Sequence, residues 1–223
     1  MILRVIYTLL LFFSTLVGFS QTKDASVWIG NSFEVDINKK IAATITEEIR
    51  FDENISELGT FFTDIGLEGK LSKKMSLGVN YRNIRRRRLD DSYALRHRFY
   101  ADVNIRQKTE RITFTYRLRY EMQYSNIAAA DFGSSGDGFT ARNRIRNRVG
   151  VRLNTEKKVK PYFTIELFNY PKTYQFDMRY NAGIDYKMSK KYALTFFYQL
   201  NNEFGVNNPQ SDYTIGVGQK FSL

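Results

Sequence analysis

The feature that most limits what this chain can become is a strict alternation of apolar and polar residues over long segments. In 111–124, Ile112, Phe114, Tyr116, Leu118, Tyr120, Met122 and Tyr124 fall on one side, against Thr113, Thr115, Arg117, Arg119, Glu121 and Gln123 on the other. In 174–187, Phe176, Met178, Tyr180, Ala182, Ile184 and Tyr186 oppose Asp177, Arg179, Asn181, Gly183 and Asp185. Successive side chains of a strand point to opposite faces, whereas a helix repeats every 3.6 residues, so period two selects β-structure. The residue choice agrees: 15 Tyr and 18 Phe favour strands, and 3 Pro leave few breaks.

Short lysine-rich turns punctuate the alternation. They are Asn38-Lys39-Lys40, Ser72-Lys73-Lys74, Gln107-Lys108-Thr109, Glu156-Lys157-Lys158 and Ser189-Lys190-Lys191. Their spacing of roughly 34 residues also suits helical repeats, but the period of two between them selects β-hairpins. Longer polar connections are expected at 52–58, 85–92, 124–140, 170–175 and 201–212. Short turns on one side and longer loops on the other form the pattern of an outer-membrane barrel.

This places strands near 26–37, 41–51, 59–71, 75–85, 93–106, 111–124, 140–154, 159–169, 174–187, 192–201 and 212–222. Bacterial single-chain barrels have even strand numbers. The expected fold is therefore all-β, an antiparallel up-and-down transmembrane barrel of ten strands from 41 onward. Residues 21–38 would be accessory; twelve strands is the alternative. Residues 1–20 read as a secretory signal, with Arg4 as the positive end, an apolar run over 5–17, and Gly18-Phe19-Ser20 before the cut. Residues 21–223 then form one domain, and no later stretch approaches the ~18 apolar residues of a membrane helix.

Two architectures satisfy alternation: a soluble barrel with its apolar face inside, and a membrane barrel with that face in lipid. Tyr124, Tyr186 and Tyr192 at strand ends suit an interfacial girdle. The polar face carries Arg beside Asn, Gln, Gly and Thr. The chain ends on an apolar-outward strand with Phe221 and Leu223. These features select the membrane barrel and an outer-membrane location.

Trp28, Glu48-x-Arg50-Phe51, Arg96-x-Arg98, Arg117-x-Arg119 and Arg142-x-Arg144-x-Arg146-x-Arg148 carry a further likeness. With them, nearly the whole chain after the signal resembles an uncharacterised Gram-negative outer-membrane barrel family known only as a domain of unknown function. The resemblance implies a barrel and no established activity.

The arginine ladder is the strongest local signal. Arg142, Arg144, Arg146 and Arg148 share one face of one strand, Arg96 and Arg98 of another, and Arg117 and Arg119 of the strand between. In lipid each arginine would cost about 2–4 kcal/mol near the midplane, so the ladder faces the lumen. Same-face neighbours ~7 Å apart repel by ~2 kcal/mol at an effective dielectric near 20. Counter-charges are needed, and Asp64, Glu68, Asp102, Glu121, Glu166, Asp177 and Asp185 fall on the same inferred face. Arg85, Arg86, Arg87 and Arg88 stand at a loop entry, either clamping lipopolysaccharide phosphates or pairing with Asp90 and Asp91. The Asp131–Gly138 stretch lacks the spacing of a calcium loop and reads as an outer loop. His97, alone of its kind, lies in the apolar register, which suits an interfacial role better than catalysis.

With no cysteine, thiolate and disulfide chemistry is closed. The expected role is a non-enzymatic outer-membrane barrel, structural or binding, with a mostly occluded arginine-lined lumen. A narrow anion-preferring channel and an outer-membrane lipid-modifying enzyme are the alternatives. Outer-membrane lipid, lipopolysaccharide and the barrel-assembly machinery are the expected partners. Neither a cofactor nor a metal nor nucleic acid is expected.

Overall fold

Eleven strands follow one another along the chain in the computed structural model, which describes residues 22–127, 138–171 and 173–223. The signal-like residues 1–20 and nearly all of the expected loop at 131–138 lie outside the described residues. The strands are β1 (Thr22–Asp36), β2 (Ile41–Asp52), β3 (Glu57–Lys70), β4 (Met75–Arg87), β5 (Tyr93–Lys108) and β6 (Ile112–Ile127). They continue with β7 (Gly138–Leu153), β8 (Val159–Asn169), β9 (Phe176–Lys187), β10 (Tyr192–Phe204) and β11 (Gln210–Ser222).

The lysine-rich turns close mostly for a shared reason. In four of the five, a short side chain replaces a backbone acceptor, while at 156–158 the Thr155 hydroxyl donates to the carbonyls of Lys157 and Val159. Asn38 Oδ1 accepts from the amides of Lys40 and Ile41 at 2.8 and 2.9 Å. Ser72 Oγ accepts from Lys74 and Met75, and Ser189 Oγ from Lys191 and Tyr192. Thr109 Oγ1 does the same for Ile112. Asn, Ser and Thr favour turns through such bonds. Most connections at the opposite end are tighter than expected, because the strands run further, while 170–175 is as expected. Residues 53–56 suffice between β2 and β3, with Glu53, Asn54 and Ile55 all at positive φ. Asp24 at the start of β1 holds this turn by accepting from the amides of Glu53 and Asn54.

Consecutive strands pair antiparallel throughout, and the sheet closes into a barrel through β1 and β11, which run parallel from Thr22↔Gln210 to Glu34↔Ser222. This corrects the expectation of ten or twelve strands with an accessory 21–38 segment. An odd number of antiparallel strands leaves the first and last running the same way, so closure requires one parallel pair. β1 meets that need along 13 registered pairs.

Alternation sorts the side chains as the sequence required. Every strand places at least one large apolar residue outward and exposed, among them Ile45, Val79, Val149, Ile184, Phe196 and Ile215. The residues of opposite parity face the interior, and several are buried although charged: Asp64, Asp102, Arg119, Glu121, Arg146 and Glu166. This inversion, apolar outside and ionic inside, is the opposite of a water-soluble barrel.

Glycine has a specific use at the seam. A Cβ on Gly216 would lie 1.9 Å from the Phe197 ring, and Phe197 in turn packs edge-on against Trp28 at 6.3 Å. A Cβ on Gly218 meets nothing nearer than 3.7 Å. Gly216→Ala is therefore expected to displace Phe197 and lower the unfolding midpoint of the purified barrel, while Gly218→Ala leaves it close to the parent value.

Candidate functional site

The interior is organised by arginines that use two faces and one edge. A guanidinium is planar: it stacks on aromatic rings through its faces and donates hydrogen bonds in its plane. Both modes recur around the lumen. Arg119 on β6 sits 3.7 Å from the ring centre of Tyr100 on β5. Arg82 on β4 lies between Tyr100 and Phe62 on β3, at 5.8 and 3.8 Å. Arg50 on β2 lies between Phe62 and Trp28 on β1, at 5.1 and 3.6 Å. Arg179 on β9 lies between Trp28 and Phe168 on β8, at 5.6 and 4.6 Å. Arg146 on β7 sits 4.4 Å from Phe168 and is the register partner of Arg119, where the circuit began.

The result is a ring of five arginines and four aromatic side chains, one from each strand except β10 and β11, alternating everywhere but where Arg146 stands beside Arg119. Strand-by-strand alternation has a simple origin. Tyr100, Phe62 and Phe168 each occupy a position of lumen-facing parity on a strand flanked by two arginine-bearing strands, so cross-strand neighbours are cation and π-face. Trp28 on β1 has Arg50 on the adjacent β2 and is reached by Arg179 from β9. Desolvated contacts of this kind contribute up to ~2 kcal/mol each.

Carboxylates fill the edges. Arg119 binds Asp102 bidentately at 2.6 and 2.7 Å. Arg82 donates to Asp64 at 2.5 Å, and the Tyr100 hydroxyl donates to the same oxygen. Arg50 donates to Glu48 at 2.6 Å. Arg146 spans two acids, Glu166 at 3.0 and 3.2 Å and Glu121 at 3.1 Å. Glu121 also pairs with Arg144, and Glu166 with Arg117 at 2.5 Å. These bonds offset the repulsion that the ladder would otherwise carry.

All eight expected wall arginines, Arg96, Arg98, Arg117, Arg119, Arg142, Arg144, Arg146 and Arg148, line one central cavity of about 2100 Å³. The expected counter-charges divide. Asp64, Asp102, Glu121 and Glu166 meet arginines as described, and Asp185 pairs with Arg152 at 3.0 Å. Glu68 instead accepts from Asn104 at 3.4 Å, and Asp177 from the Tyr170 hydroxyl at 2.6 Å. Both lie toward strand ends, out of reach of the ladder. Arg50, Arg82, Arg179, Glu48 and the four ring aromatics did not stand out as site residues in the sequence. Their signal was Trp28, Phe62, Tyr100 and Phe168 standing in otherwise polar registers.

The central cavity extends to both ends of the barrel. The same cavity is lined by Asn54 and Leu89 at one rim and by Ser72, Lys73 and Lys74 at the other. Among the described residues, side chains do not fill the interior from end to end. Positive charge is in excess there. Arg98, Arg148 and Arg179 have no carboxylate at ion-pair distance among the described residues, and Arg98 donates only to Gln123.

The Arg85–Arg88 run does not form a four-arginine clamp, because Arg85 is set apart from the rest. Arg86, Arg87 and Arg88 line the cavity mouth. Arg87 bridges Glu57 at 3.1 Å and Asp91 at 2.5 Å. Arg85 registers with outward Phe61 and Leu95. Asp90 in the adjoining turn is held below the usual carboxylate range by the hydroxyl and amide of Ser92. His97 faces outward, its Nδ1 2.7 Å from the Tyr81 hydroxyl.

Fold and interior together define a closed β-barrel with an apolar exterior and an ionic, arginine-rich core. The chain belongs to the family described as Protein of unknown function (DUF2490), which matches residues 25–212. No curated protein matches it. Among solved structures it is similar to the beta domain of the Bordetella autotransporter Brka, at 11% identity and TM-score 0.46, covering 82% of each chain. It is also similar to the translocator domain of the autotransporter NalP from Neisseria meningitidis, at 13% identity and TM-score 0.42, covering 82% of this chain and 74% of that one. This is a likeness between barrels and carries nothing about role.

Breaking a buried pair by removing one partner typically costs ~3–5 kcal/mol. Glu166→Gln strips Arg117 of its acid and half of those on Arg146, so equilibrium unfolding should show a loss approaching that size. Asp177→Asn, which keeps an acceptor for Tyr170, should change stability by less than ~1 kcal/mol.

Proposed function

We propose that the protein spans an outer membrane as a non-enzymatic barrel whose arginine-lined lumen receives anions. The observation that carries this is the inverted distribution of polarity: a continuous apolar exterior around an ionic interior with surplus arginine. Lipid on the outside rewards the exposed Ile, Val, Phe and Tyr. An enclosed interior of low dielectric raises the local concentration of negatively charged solutes. Binding is the first reading. Slow, anion-preferring passage is the second, favoured by the cavity that is lined by residues of both rims.

The topology adds an orientation. With the short lysine turns toward the periplasm, β1 begins at the opposite, outward rim, because it runs parallel to β11 and its Asp24 touches the 53–56 turn. The chain has no cysteine, so a single one reports cleanly. Ser56→Cys should label with an impermeant maleimide on intact cells, and Lys39→Cys only after the envelope is opened.

The membrane reading is tested by envelope fractionation and by gel mobility with and without boiling. A heat-modifiable band in the outer-membrane fraction is expected, and soluble recovery without one would overturn the reading. In lipid vesicles, Ile184→Arg should fold far less well than Asn181→Arg. The mid-bilayer penalty of about 2–4 kcal/mol applies only to the outward position. Planar-bilayer recordings should show small steps that prefer anions; large cation-selective steps would contradict both the binding and the passage readings.

A further inference from the structure

The arginine–aromatic ring has one irregular member. Arg119, Arg82, Arg50 and Arg146 each use their faces on aromatic rings and their edges on carboxylates. Arg179 uses only its faces, on Trp28 and Phe168. No acid lies at ion-pair distance and no hydrogen bond is made by its guanidinium among the described residues. The acids nearest in register are engaged or out of reach. Glu166 is drawn to Arg117 and Arg146, Asp177 lies against Tyr170, and Asp212, opposite Asn201, forms no ion pair.

This irregularity falls at the break in the ring, beside β10 and β11, and Arg179 has there, across the register and across the ring contact, two further residues with an unpartnered atom each. The Nε of Arg179, the indole Nε1 of Trp28 and the Oδ1 of Asn201 are buried without hydrogen-bond partners. Arg179 and Asn201 are direct register partners across β9 and β10, and the Arg179 guanidinium carbon lies 5.6 Å from the indole centre. All three residues line the central cavity. A buried donor left unpaired is costly, and an unpaired buried charge more so. Elsewhere in the ring the protein meets this demand with its own carboxylates.

We infer that the edge of Arg179 is a binding site for a small oxyanion, a carboxylate or a phosphate, taken up from the lumen. The anion completes the pattern set by Asp102, Asp64, Glu48 and Glu166. Its oxygens accept from the planar fork of Arg179 and from the Trp28 indole N–H, in the way guanidinium forks hold carboxylate and phosphate. The Asn201 amide, which presents its oxygen or, flipped, its NH₂, reads the substituent beside the charge. The inference rests on the reading of the lumen as an anion-receiving interior and assigns the residues that would do the receiving.

The test uses the full chain refolded in detergent micelles, with urea unfolding followed at constant ionic strength. Sodium chloride alone is compared with added sodium phosphate and with added sodium acetate. The parent protein should unfold at higher urea in phosphate, in acetate, or in both. At an anion concentration ten times the dissociation constant, the folded-to-unfolded ratio rises about 11-fold. Arg179→Gln should abolish that shift. Trp28→Phe keeps an aromatic face for Arg50 and Arg179 but removes the indole N–H, and should reduce the shift several-fold. An anion-independent midpoint in the parent would overturn the site, as would an undiminished shift in both variants, which would place binding elsewhere. Heat-modifiable mobility of each variant shows whether the barrel still forms, which separates failure of the site from failure of the barrel. The larger of the two anion shifts identifies the ligand class.

Discussion

Everything in this molecule follows from enclosing a surplus of arginine inside a closed sheet. Alternation commits the charged residues to one face, and closure turns that face inward on itself. Their mutual repulsion cannot be relieved by turning outward into an apolar exterior, and those packed into the wall are largely removed from bulk water. The guanidinium group supplies the solution because it separates two kinds of interaction by geometry. Its faces take π-systems and its edge takes carboxylates, so one side chain joins a stack and an ion pair at once. A lysine ammonium has no such division. The chain places lysine largely at the short turns, where water is at hand, and arginine where it is not.

The same enclosure explains why Trp28, Phe62, Tyr100 and Phe168 stand among polar residues. Each separates two arginines that would otherwise face one another, and each presents a negative π-face to both. Carboxylates then compensate most of the remaining charge. Glu121 and Glu166 are shared, each serving two arginines. Buried networks of this sort are costly when any member is missing, which makes them specific as well as stabilising.

Closure with eleven strands adds a second constraint. The parallel β1–β11 pair is inherently somewhat weaker per residue than its antiparallel neighbours. It is also where the ring has no cation or π-face on two successive strands. Arg179 crosses this interval to reach Trp28, and Gly216 makes room for Phe197 to brace the indole from behind. The point where the wall needs cross-lumen ties is therefore also the point where an arginine edge is left without an acid. Topological closure and the proposed anion site share one physical origin.

Much of the fold could be read from residues alone. Period two gave strands, Asn38, Ser72, Thr109 and Ser189 marked tight turns, and the cost of arginine in lipid put the ladder inside. The pairing of the ladder with Glu121 and Glu166 was visible as a requirement for counter-charge, though not as particular bonds. The sequence alone left three matters undecided. Strand number depended on whether β1 could pair parallel with a partner nearly 190 residues away, which no local pattern encodes. The fate of Glu68 and Asp177 depended on strand tilt and side-chain reach, so both shared the correct face yet met Asn104 and Tyr170 instead. The ring needed residues from nine strands to arrive at one circuit. Alternation determines which way a side chain points, because that is a property of its own strand. Only closure of the barrel decides which cation, ring or acid stands next to it, because that depends on how distant strands are staggered against one another.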